Sequence, residues 1–246
     1  MKKGKYILFI FLFFLALLTV TAMVFIYSEF WRPPEVKADS YLEIDLAGSF
    51  PEFAAPDHLT RLFLGERPLC VHDVREGLRK AREDDRIRCV LLLLGYLRCD
   101  WAKISEVRDA VRGFQESGKK VHAYIEEAPE FDKEYYLATA CDRIILHPLG
   151  WLGVNGVGGW VPFFKEGLDK LGVEAQFEHV EEFKTAYNMF TEKGLTEAHK
   201  LMLESLYQDI FNEYVRTVAH ARKMTEDRVR AVIDKSLYQG EQALEA

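Results

Sequence analysis

From Tyr6 to Tyr27 the chain runs for 22 residues without a charge, built mostly of Phe, Leu, Ile and Val. As a helix rising 1.5 Å per residue, that run reaches about 33 Å, enough to cross a hydrocarbon core of about 30 Å. A cleaved leader would carry a shorter apolar region, about 7–15 residues, followed by small residues at the cleavage point. Here Met23, Phe25 and Tyr27 are bulky where cleavage needs small side chains. The run predicts a retained transmembrane signal anchor, with its short cytoplasmic stub, over residues 1–28. Lys2, Lys3 and Lys5 precede it, while Glu29 and Glu35 offset Arg32 beyond it. The positive-inside rule then keeps the N-terminus in the cytoplasm and exports the rest, a single-pass topology in the inner membrane with the body in the periplasm. Trp31 suits the far interface, and Pro33-Pro34 opens a linker over 29–40. One domain, 41–246, follows.

That exported part is acidic. The chain carries a net charge of −7, and outside the anchor there are 29 basic against 39 acidic residues. Such a body repels phosphate backbones, which excludes nucleic acid as a partner. Cys70, Cys89, Cys99 and Cys141 form no CxxC pattern and are too sparse for a disulfide scaffold. They read as small buried apolar residues, with a Cys89–Cys99 pair left open. The seven histidines make no HExxH and no close pair, so no metal site is expected, and no cofactor motif is present.

Along the domain, period-2 and period-3.6 stretches alternate. YLEIDL at 41–46 alternates as a half-buried strand, and Val71–Arg82 places Val71, Val74 and Leu78 at helical spacing. CVLLLL at 89–94 is a continuous apolar run, expected to be a strand covered on both faces. A helix over Ile104–Phe114 ends at Ser117-Gly118, a C-terminal cap rather than a nucleophile. Then come a strand at Val121–Ile125, a short helix at Tyr135–Cys141, a strand at Arg143–Leu146 and a glycine-rich loop over Pro148–Gly159. A helix at Phe163–Leu171, a strand at Val173–Val180, a long amphipathic helix from Glu197 to Met224 and a last helix at Glu226–Ile233 complete the series. Strands alternating with helices predict an α/β fold with a largely parallel sheet.

Three segments go further than pattern. EYYLATACDRIILHP at 134–148, FKEGLDKLGV at 164–173 and VEEFKTAYNMF at 180–190 resemble, in order and separation, segments of the SppA signal peptide peptidases (protease IV). The likeness covers about Tyr41 to the C-terminus. It implies a ClpP/crotonase-like fold and a serine endopeptidase that degrades cleaved signal peptides in bacterial membranes, with a serine nucleophile served by a lysine base. In the long, two-repeat form the first repeat supplies the lysine and the second the serine. By match to the family's YKsA position, Lys184 is the implied catalytic lysine. The family's SGGYY string aligns with DKEYY at 132–136, so Asp132 stands in the serine's place. The SPGG string that follows the buried strand is replaced by LGYLRC at 94–99, which removes glycines that expose backbone N–H groups to a reacting carbonyl. Both departures match the N-terminal repeat. The implied partners are signal-peptide remnants, a second SppA-type repeat carrying the serine, the inner membrane and further copies in a homo-oligomer. The string QALEA at 242–246 stands where the family continues into another strand, so the domain reads as truncated.

In this chemistry a lysine takes the serine's proton only when neutral. For an amine with the reference pKa of about 10.4, neutrality at pH 7 costs roughly 4.6 kcal/mol, which burial among apolar groups reduces. Phe183, Ala186, Tyr187 and Phe190 surround Lys184 in sequence and would shield it once a second repeat docks; Glu181 and Glu182 oppose that. Asn188-Met189 replaces the family's Glu-Pro, and Thr185 replaces a serine beside the lysine. The loop PLGWLGVNGVGG at 148–159 lacks both GxxxxGK[ST] and GxGxxG, so its glycines serve turns and close backbone approach. Two other functions compete with the protease: a non-catalytic, membrane-anchored module that binds peptides or oligomerises, and an acyl-CoA enzyme of the same fold, against which the anchor counts.

Overall fold

The computed structural model describes residues 2–30, 35–54, 68–126, 131–178 and 180–246. Two compact units divide the chain, Met1–Ala38 and Asp39–Ala246.

The first unit holds α1 (Lys2–Phe30). Among the described residues no helix is long and apolar enough to cross a membrane. The expected transmembrane helix therefore stands without structural support. Pro33-Pro34 lies outside the described residues.

In the second unit β1 (Ser40–Ser49), α2 (Val71–Glu83), β2 (Ile87–Arg98), α3 (Trp101–Gln115), β3 (Lys120–Ile125), α4 (Asp132–Ala138) and β4 (Arg143–Leu146) alternate. The four strands form one parallel sheet in the order β1-β2-β3-β4. Helical crossovers are what parallel neighbours require. Ile44, Leu46, Val90, Leu92, Leu94, Val121, Ala123 and Ile125 point to one face. Val74 and Leu78 of α2, Ile104, Val107 and Val111 of α3, and Leu137 of α4 are buried as well. The opposite face of β2 is half-buried rather than covered, because its burial alternates. The expectation of two covered faces fails there.

Ends are set by local chemistry. Asp100 caps α3 by accepting the Lys103 amide at 3.1 Å. Gly118 takes φ +82° and donates to Gln115, closing the same helix as its sequence predicts. The Lys119 amine donates to the carbonyls of Ala81 and Asp84, each at 2.8 Å, and so satisfies the C-terminal end of α2.

The remainder holds β5 (Trp151–Gly153), α5 (Lys165–Lys170), α6 (Asn188–Thr191), α7 (Glu197–Arg222), α8 (Glu226–Lys235), β6 (Leu237–Gln239) and α9 (Gly240–Glu245). β5 and β6 pair antiparallel. The strand expected at Val173–Val180 does not form: residues 173–178 have no regular structure. Phe177 instead stacks on Tyr187 and Phe190, at 6.0 and 5.8 Å between ring centres. All four cysteines are free thiols, so Cys89 and Cys99 are unpaired.

Candidate active site

Lys184 lies in the turn between Glu181 and α6, where Glu181 takes φ +68° and the Lys184 amide donates to Glu181 O. The turn is fixed from below. Asn188 is buried and its amide donates to Thr196 Oγ1 at 3.2 Å, and the same hydroxyl accepts the His199 amide as the N-cap of α7. Thr185 is also buried, its hydroxyl 4.0 Å from the sulfur of Met202. The long helix thereby anchors the lysine-bearing turn.

Lys184 itself is exposed at the edge of an open groove of about 1530 Å³. Phe177, Val180, Phe183, Tyr187, Phe190 and Met202 make the groove apolar, with Glu178, Thr185 and His199 as its other polar members. Phe183 and Val180 are respectively 50% and 74% exposed, so a large apolar surface faces outward around one amine. The shielding of Lys184 is expected only with a docked second repeat, and within this chain the amine is exposed.

Asp132 is elsewhere: among the described residues the lining of the groove does not include it. It begins α4, where its two carboxylate oxygens accept the backbone amides of Gly156 at 2.9 Å and Asn155 at 3.2 Å. Its neighbours are engaged as well. The Lys133 amine donates to Cys99 O at 2.7 Å, and Glu134, 1% exposed, accepts the Leu97 amide at 2.6 Å. Burial holds the Glu134 carboxyl above the usual carboxylate range despite that hydrogen bond. The DKE stretch thus spends its polar groups on the end of β2 and on the glycine-rich loop. The Leu97 amide is thereby already bonded.

Beneath α4 the Arg108 side chain is buried. It donates to Thr139 Oγ1 at 2.7 Å and to Tyr136 O, and its guanidinium lies 4.6 Å from the centre of the Tyr136 ring. Burial pushes its pKa down to about 10, which leaves it charged at neutral pH. Arg108 occupies an apolar-stripe position between Ile104 and Val111, a charge out of place on the core face that the sequence displays and that spacing alone does not explain. Glu134 gave no such signal. Among the described residues no group of His, Cys, Asp and Glu can hold a metal ion.

The glycine-rich loop does what its composition predicts. Gly156, at φ +87°, packs against Phe211 and Ile233, and a Cβ on Gly159 would overlap the Tyr207 hydroxyl. Both contacts lay the backbone directly on α7 and α8.

Residues 113–246 match peptidase family S49. The chain belongs to that family. Among curated S49-type relatives, the chloroplastic serine protease SPPA of Arabidopsis thaliana is 29% identical over 178 residues, 72% of this chain and 26% of its own length. Protease 4 of Haemophilus influenzae is 28% identical over 164 residues, 66% of this chain and 26% of the relative. Protease 4 of Salmonella typhi is 24% identical over 237 residues, 91% of this chain and 38% of the relative. The chain thus spans about a quarter of the length of the first two. Among solved structures, an enoyl-CoA hydratase/isomerase family protein from Silicibacter pomeroyi aligns over 81% of the chain at 16% identity, with a TM-score of 0.30, too loose a likeness to argue from. The SppA-type resemblance is borne out by the family and the relatives, and the α/β class by the parallel sheet.

Proposed function

We propose that this S49 chain is the lysine-bearing part of a membrane-anchored serine endopeptidase that degrades apolar peptides such as cleaved signal peptides. Lys184 is its general base, and a second SppA-type repeat supplies the serine. The observation that carries the reading is the coincidence of the family's lysine position with an apolar groove: Lys184 sits among Phe177, Phe183, Tyr187 and Phe190. A docked second repeat would cover the exposed part of that groove, withdraw water from the amine and favour its neutral form. The neutral amine then accepts the serine's proton as the hydroxyl attacks the peptide carbonyl.

The uncharged run Tyr6–Tyr27 supports an inner-membrane anchor with the N-terminus inside and the body in the periplasm. Large apolar side chains exposed from Ile10 to Phe25 are consistent with an apolar surrounding. The ClpP/crotonase-like fold and a homo-oligomer belong to the same proposal.

A second reading, a non-catalytic anchored module that binds peptides, is favoured by Asp132, which has a carboxylate where the family has its serine and commits it to two backbone amides. Co-expression with a second repeat carrying an SGGYY-type serine separates the two. The protease reading expects casein cleavage by the pair, lost in Lys184→Ala with the far-ultraviolet spectrum unchanged. Cleavage that survives Lys184→Ala removes the lysine from the mechanism, and a folded pair without cleavage leaves the module.

A further inference from the structure

Each side chain of the DKE stretch at the degenerate serine position reaches backbone, with Lys133 and Glu134 both on the end of β2. Asp132 holds the amides of Asn155 and Gly156, Lys133 holds the carbonyl of Cys99, and Glu134 holds the amide of Leu97. Three consecutive residues at the start of α4 therefore fasten the end of β2 on one side and the glycine-rich loop on the other. From Gly156 that loop continues over α7, packing Gly156 on Phe211 and Gly159 on Tyr207, and arrives at Val161, which lines the groove of Lys184. The loop is also held at Gly153 and Val154 by β6 and Ser236 O, and the Asp132 contacts fall on the next two residues, Asn155 and Gly156. Asn155 and residues 158–160 are exposed, and four of the nine residues from Gly153 to Val161 are glycines, which lose the most conformational freedom on ordering. Charge-assisted hydrogen bonds to a carboxylate are the strong kind available for that task.

We infer that Asp132, Lys133 and Glu134 form a clamp that sets the Gly153–Val161 loop and, through it, one wall of the apolar groove. The stretch that matches the family's nucleophile is here a positioning device for peptide binding. The inference rests on the groove reading given above. It differs from a bland packing role in one respect: loosening the Asp132 contacts changes ligand affinity at Val161, five residues beyond the last amide held.

The test uses the full chain and a dansyl-labelled alanine–leucine hexapeptide, with amide hydrogen exchange measured in parallel. The wild type binds the peptide saturably, and Phe183→Asp, a change within the groove, abolishes binding while leaving exchange at Asn155 and Gly156 unchanged. Asp132→Ala speeds exchange of those two amides by about tenfold or more and weakens peptide binding by at least about fivefold. Asp132→Asn, which keeps one carbonyl acceptor but turns an NH2 donor toward the second amide, recovers only part of both effects. If Asp132→Ala does not fold, Lys133→Met, which removes the contact to Cys99 O, weakens binding by about threefold with the fold intact. Unchanged affinity in a variant whose loop amides exchange faster overturns the clamp while the groove reading stands. A wild type that does not bind the peptide, or binding that survives Phe183→Asp, overturns the groove reading and the clamp with it.

Discussion

Glu134 accepts the backbone amide of Leu97 at 2.6 Å across 37 residues of sequence, and it does so with its side chain 1% exposed. Burial raises the Glu134 pKa, and the Leu97 amide only partly offsets this. A carboxyl raised in the folded state binds more protons folded than unfolded, so stability falls as pH rises from the unfolded value, about 4.3, through the folded one. Glu134→Gln keeps an acceptor for Leu97 and removes the titration. Its thermal midpoint, measured against the wild type from pH 4 to pH 7, is expected to gain on the wild type as pH rises and to approach it at pH 4. A difference that is flat across the window would show that the buried carboxyl does not titrate there.

Asp142 works in the opposite sense. Its partial burial pushes its pKa up, but the Lys120 amine at 2.7 Å, the Val121 amide at 3.0 Å and the Gln115 amide at 2.9 Å outweigh that and take it down to about 2. A depressed carboxyl contributes stability that is present above its unfolded value and lost as pH falls through the folded one, here between about 4 and 2. Asp142→Asn is expected to cost about 1 kcal/mol in urea unfolding at pH 7, a modest figure because Lys120 is exposed and water screens the pair. The cost should shrink as pH approaches 2. An equal cost at pH 7 and pH 2.5 would assign the effect to shape rather than charge.

Period carried most of the fold. α2, β2, α3 and β3 lie where apolar spacing puts them, because each buries one face against one core; β4 also forms where expected, with Ile144, Ile145 and Leu146 only half-buried. The alternation at Val173–Val180 misled, since an extended segment whose Phe177 stacks on Tyr187 and Phe190 needs no neighbouring strand. β6 has three residues, too few to show a period of two, and its partner β5 lies inside a glycine-rich string that reads as loop. At the candidate site Lys184 was legible only through the family's motif, as nothing in its spacing marks an amine beside a groove. The pairing of Glu134 with Leu97 was not legible, because a carboxylate that bonds a backbone amide leaves no partner residue to search for.

Two glycines separate steric need from accident. A Cβ on Gly150 would collide with Glu126 O and lie 3.0 Å from His147 O, both backbone atoms that cannot swing away. Gly150→Ala is expected to cost about 2 kcal/mol, within the range for overpacking. Gly113, inside α3, has nothing within 4 Å of such a Cβ. Gly113→Ala should stabilise by roughly 0.5–1 kcal/mol through the smaller entropy of the unfolded chain. Chemical denaturation of the two variants checks both, and equal effects of the same sign would contradict the packing described at position 150.

Asn188, in the turn after Lys184, has a task of its own. Its buried amide holds Thr196 Oγ1 at 3.2 Å, and so ties the turn that carries Lys184 to the cap of α7. Asn188→Leu removes that tie while keeping the same number of side-chain heavy atoms, and leaves Thr196 bonded to the His199 amide at 3.3 Å. The variant is therefore expected to lose about 1–2 kcal/mol and to exchange the amides of 184–190 faster while His199 stays protected. In an assembly that cleaves casein, a turn that only holds Lys184 in place would show itself as a fall in kcat with KM little changed, since the peptide still meets the same apolar walls. A rise in KM at constant kcat would move Asn188 from positioning the amine to shaping the groove.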